Sequence, residues 1–154
     1  MPIMYLPQPN IMLVAILFWL LLALCCSFAA VAGGSTGKTG AAMLIISTLA
    51  TTAATTIFQP ATGWSETHVP VMAIDILLLC GLYMLALRSE AYWPLWATGF
   101  HLLTVSGHFA TIIMPDFRLG VYFRFSSLWS LLVLMSMVVG ISIDRSHPPV
   151  RSQP

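Results

Sequence analysis

The chain of 154 residues carries only six Lys or Arg and five Asp or Glu, so that 7% of it is charged against 58% apolar. With a mean hydropathy of +0.91, this excludes a soluble globule, which carries about 25% charged residues, and lipid is the expected solvent. A net charge of +1 with no basic patch excludes a nucleic-acid footprint.

The predicted elements are all helices, and five segments are long and apolar enough to span a hydrocarbon core about 30 Å thick. The first is Ile11–Ala32, with Asn10 placed to cap it and Pro7 and Pro9 breaking anything earlier. Ala30-Val31-Ala32 imitates a signal-peptidase site. However, no Lys or Arg precedes the run, and the run is longer than a signal core of about 7–15 residues. An uncleaved first helix is expected. The next stretch, Ala32-Gly-Gly-Ser-Thr-Gly37-Lys38-Thr39, fits a permissive phosphate-loop pattern. A phosphate loop needs a buried strand before it inside an α/β domain, and here an apolar 22-residue run precedes it. A small-residue turn is the expectation, with Lys38 marking the cytoplasmic face and no nucleotide.

The second segment, Ala41–Phe58, is diluted by Thr48, Thr51, Thr52, Thr55 and Thr56. Threonine hydroxyls can bond back to their own helix, which makes such a span tolerable. The third, Val71–Leu87, has Pro70 in the favourable first-turn position. The fourth, Leu95–Met114, is opened by Pro94 and closed by Pro115, and the fifth covers Phe125–Ile143. The polar tail Asp144–Pro154 reads as exposed coil. Nothing alternates with the period of a β-barrel strand. The expectation is one all-α membrane domain, a polytopic transmembrane helix bundle of five spans, or four if segment 41–58 fails to cross.

Orientation follows from the loop cations. With the N-terminus outside and the C-terminus inside, the cytoplasmic side holds Lys38, Arg88, Arg145 and Arg151, and the outer side holds Arg118 and Arg124. Cys25, Cys26 and Cys80 all lie in apolar runs. There they act as small hydrophobes, without the spacing of a zinc site or an ordinary disulfide.

The informative residues are the ionisable groups inside the third and fourth segments, because charge in hydrocarbon is costly and usually partnered. Asp75 lies 13 residues before Arg88, and His108 lies 14 residues after Pro94. At 1.5 Å per residue both stand roughly 20 Å from the intervening turn. An antiparallel hairpin would put them at one depth, near the end of the fifth helix that carries Arg124. This predicts an intramembrane polar cluster of Asp75, His108 and Arg124. The plainer reading gives Asp75 to the N-terminal helix dipole and nearby water, and His108 to a backbone carbonyl or a hydroxyl.

His101 and His108, seven residues apart, share a helical face at roughly 10 Å separation, too far to ligate one metal ion. Each is a candidate axial ligand for a separate haem or bacteriochlorophyll. The remaining histidines, His68 and His147, lie in a loop and in the tail and offer no facing partner. Gly99 and Gly107 would admit close approach of a helix or a flat ring. Trp64, Tyr92, Trp93, Trp96, Tyr122 and Trp129 lie near predicted helix ends, as an interfacial belt requires.

The run Leu87-Arg-Ser-Glu90-Ala-Tyr92-Trp93-Pro94-Leu-Trp96-Ala-Thr-Gly99-Phe-His101, with Asp75 before it and His108 after it, resembles a group of small multi-pass membrane proteins of alphaproteobacteria, sphingomonads in particular. The resemblance covers about residues 70–115. It implies a bacterial inner membrane and no particular activity.

No HExxH, no GxSxG and no paired intramembrane carboxylates occur, so no catalytic residue and no enzyme is expected. Tiny loops and faces rich in small residues favour a non-catalytic accessory or assembly subunit, with lipid and other membrane subunits as partners. One alternative is a small proton, ion or solute transporter using Asp75 and His108. The other is a tetrapyrrole-binding subunit of an electron-transfer or light-harvesting complex.

Overall fold

The computed structural model describes residues 9–57, 69–113 and 119–146, with side chains described over 12–57, 69–113 and 128–146. Five helices occur in it: α1 (Pro9–Ala32), α2 (Gly34–Ile57), α3 (Val69–Arg88), α4 (Trp93–Ile113) and α5 (Leu119–Ser146). Each packs on its neighbours in chain order, and α5 returns to α1, so the helices form a closed ring. The large apolar side chains Leu13, Leu17, Leu24, Leu77 and Val31 point outward. That inverted surface is stable only against lipid, and the chain is built as a membrane-embedded helical bundle.

Four of the described helices, α1, α2, α3 and the Leu128–Ser146 part of α5, are long and apolar enough to cross a membrane. The threonine-rich α2 is among them. The helix that falls short in apolarity is α4, where His101 and His108 replace hydrophobes, although its 21 residues match the 20 of α3 in length. The threonines behave as their chemistry suggests: Thr48, Thr52, Thr55 and Thr56 each donate to a carbonyl three or four residues back, at 2.8–2.9 Å.

Several boundaries differ from the sequence expectation. The glycine-rich stretch after α1 is no extended turn. The chain reverses at Gly33 and Gly34, the latter at φ +59°, and Ser35–Thr39 already belongs to α2. Gly33 N–H closes the last bond of α1 onto Ala29, and its carbonyl accepts the first bond of α2 from Gly37. Helix forms here despite poor glycine propensity because Gly37 packs on the Ala29 carbonyl, where a Cβ would collide. At the other end of the chain, Asp144–Ser146 continue α5 instead of starting a coil, and 147–154 lie outside the described residues.

The aromatic residues need a larger correction. Trp93 is no belt residue: it is 2% exposed. It is wedged between α2 and α5, with Gly40 beneath its six-membered ring and Gly140 against its Cβ and Cγ. Trp129 is half-buried and stacks on Phe100, the centroids 6.5 Å apart. Tyr92 and Trp96 do point outward, while Trp64 and the side chain of Tyr122 lie outside the described residues. Around Trp93 the buried residues Ala29, Ala41, Leu82, Ala97, Met137 and Ile141 close one end of the ring. This closed end holds the α1–α2 turn, the α3–α4 turn and the C-terminus of α5.

Gly140→Ala is expected to cost about 1–3 kcal/mol, because the Trp93 backbone and Cβ leave its methyl no space. Gly99→Ala, which meets nothing within 4 Å, should be neutral or gain up to about 1 kcal/mol from helix propensity. Thermal unfolding of the detergent-solubilised variants separates the two, and equal midpoints would contradict the wedge.

Candidate functional site

The ring is packed at one end and hollow in the other half. A partly open chamber of about 370 Å³ runs from mid-bundle toward the end opposite Trp93, and all five helices line it. Its walls follow from the ring order. α1 contributes Phe18, Trp19 and Leu22, which face α3 and α4 across the space, and α2 contributes the hydroxyls of Ser47, Thr48, Thr51 and Thr52. α5 adds Ser130, Val133 and Leu134. Asp75, His101 and His108 are the ionisable residues among those that line it, and they stand together on the α3–α4 wall.

Asp75 sits in the second turn of α3, near the helix N-terminus, where the dipole favours a carboxylate. Its Oδ2 lies 2.8 Å from His108 Nε2. His101 Nε2 stands 3.0 Å from the Asp75 backbone carbonyl and 3.8 Å from Oδ1. A carbonyl only accepts, so His101 Nε2 carries a hydrogen and donates it. An ionised Asp75 carboxylate accepts the hydrogen of His108 Nε2 in a charge-assisted bond, whether the imidazole is neutral or protonated. The aspartate thus meets both histidines, one through its side chain and one through its main chain. The spacing of seven residues puts both rings on the buried face of α4, above and below the same turn of α3.

Both Nε2 atoms are therefore committed to α3. Axial coordination of a tetrapyrrole through either would first require breaking a contact to Asp75. Among the described residues no group of three His, Cys, Asp or Glu is arranged to hold a metal ion. Arg124 lies in the second turn of α5, at the chamber end of the ring, but its side chain lies outside the described residues. Among the described residues nothing packs against Gly99. The three cysteines are unbridged, Cys25 and Cys26 buried near the packed core and Cys80 exposed on the outer surface.

Sequence reasoning passed over Thr104. It lies between the two histidines on the same face of α4 and is 5% exposed. Its hydroxyl finds no hydrogen-bond partner among the described residues. Other hydroxyls of this helix bond back to it, Thr98 to Pro94 and Ser106 to Leu102. Thr104 instead borders the chamber. The signal was available, since residues 101, 104 and 108 fall at helical spacing, but a threonine in a span reads as helix-bonded by default. The chamber-facing hydroxyls of α2 were likewise visible only as diluted hydropathy.

Compared with protein-family models, curated proteins and solved structures, the chain matches none of them significantly.

Proposed function

We propose that this protein is a small transporter that moves protons, or a solute linked to them, through the chamber, with Asp75 and His108 as the exchanging pair. The observation that carries the reading is the 2.8 Å contact between Asp75 Oδ2 and His108 Nε2 on the wall of a cavity that all five helices enclose. A buried structural ion pair needs no cavity beside it. A carboxylate and an imidazole lining a hollow can pass a proton between them and to whatever occupies the space. His101 positions Asp75 by holding its main-chain carbonyl. The packed layer around Trp93 separates the chamber from the far end, so passage requires that layer to open.

The compartment we assign is a bacterial inner membrane, with the N-terminus outside. The inner membrane rests on the sequence resemblance alone, and the orientation on the placing of Lys38, Arg88 and Arg145, all exposed and all at the closed end of the ring. The positive-inside rule turns that end to the cytoplasm and the chamber outward.

A second reading, an accessory subunit of a larger membrane complex, draws on a separate feature. An apolar groove of about 420 Å³ runs along the outer face of α4 and α5, past Trp96, Phe100, Met135 and Val139. It is broad enough for the side chains of a partner helix.

Three measurements decide among these. In liposomes loaded with a pH-sensitive dye and driven by a potassium diffusion potential, the full chain should conduct protons. Asp75→Asn and His108→Ala should bring the rate to that of empty vesicles, and flux indifferent to both changes removes the transport reading. A fluorescent protein fused to the C-terminus should fold and fluoresce, and active alkaline phosphatase at that position would reverse the orientation. Purification in mild detergent should yield a defined partner if the accessory reading holds, and a monodisperse single chain would end it.

A further inference from the structure

The chamber sets one carboxylate and several hydroxyls against an otherwise apolar and aromatic lining, which narrows what it can hold. The hydroxyl hydrogens of the lining residues Thr48 and Thr52 are committed to the carbonyls of Leu44 and Thr48, so each oxygen is left only to accept. His101 and His108 direct Nε2 onto Asp75. Across the space stand the rings of Phe18 and Trp19, and among the described lining residues there is no Lys or Arg. Thr104 adds a second, independent observation: a residue only 5% exposed, between His101 and His108 on α4, whose hydroxyl has no partner among the described residues. A polar group in that position is stabilised when a ligand completes it.

From this arrangement we infer that the chamber binds a small organic cation, a primary ammonium on a compact apolar or aromatic body. This inference rests on the transport reading and names its substrate class. The ammonium group donates to Asp75 and Thr104, and the body lies against Phe18, Trp19 and Leu22. Aromatic faces attract a nearby cation as well as apolar surface. A bare alkali ion would leave most of the 370 Å³ unfilled, whereas small-molecule pockets begin at about 300 Å³. Among the described residues Arg124 is the cation whose backbone stands nearest this end of the ring, five residues into α5 as His108 is five residues short of the end of α4. If its side chain governed the chamber, an anion would be preferred instead.

The test is calorimetric titration of the full chain in nanodiscs with benzylammonium, benzyl alcohol and benzoate, three probes of one shape and different charge. Benzylammonium should bind saturably at one site, about tenfold or more tighter than the other two, the margin of a charge-assisted hydrogen bond. Asp75→Asn should remove that preference. Thr104→Val should weaken benzylammonium several-fold without lowering the unfolding temperature, since it deletes only an unpartnered hydroxyl. It thereby serves where Asp75→Asn fails to fold. Equal affinity for the ammonium and the alcohol, tighter binding of benzoate, or an unaltered Thr104→Val overturns the inference. Proton flux that depends on Asp75 without ammonium binding would overturn the inference and leave the transport reading standing. Saturable ammonium binding without flux would do the reverse.

Discussion

The seating of Trp93 between two glycines organises the molecule. An indole at the first residue of α4 fits inside a five-helix ring only where the flanking helices lack side chains, and Gly40 on α2 and Gly140 on α5 supply those gaps. Filling the centre at that level draws α2, α4 and α5 together around a dense layer with Leu82 and Met137, neither measurably exposed. Van der Waals packing of this kind is what holds helices together in lipid, where burial of apolar surface offers no gain. In the other half of the ring the described side chains, large ones such as Phe18 and Trp19 among them, stand around a space and leave it open.

Asp75 ties that open half together. Through His108 and His101 it links the second turn of α3 to two levels of α4, so that the helix not apolar enough by itself to count as a span is held against its neighbour by polar contacts. The same residues make α4 expensive as an isolated span and stable as part of the ring. A lone imidazole in hydrocarbon is unfavourable, while an imidazole on a carboxylate is not. The threonines of α2 solve the problem differently, by returning their hydrogens to their own helix. The polar content of the chamber is thereby tolerated, and its oxygens remain able to accept from what enters.

The outer surface shows the opposite economy. Leucines, isoleucines and valines are prominent among its described residues, and, of the exposed aromatics, Tyr92 and Trp96 stand at the closed end, the end that also carries Arg88 and Arg145. Cations and aromatics at one level mark a membrane boundary. That boundary coincides with the Trp93 layer inside, which gives the bundle a sealed end and a hollow one.

Much of this was legible from composition and chain order. Low charge and high hydropathy established a helical membrane bundle, and the five apolar runs lay within a few residues of the observed helices apart from the early start of α2 and both ends of α5. Counting residues from the α3–α4 turn put Asp75 and His108 at one depth, because helical rise is constant. What counting along a helix does not supply is rotation. Whether the faces of α3 and α4 meet, whether Trp93 points to lipid or to Gly40 and Gly140, and whether Thr104 bonds its own helix or borders a cavity all depend on how each helix turns against its neighbours. Those choices are made by packing between residues far apart in sequence, such as Gly40, Trp93 and Gly140, and so they belong to the tertiary structure alone.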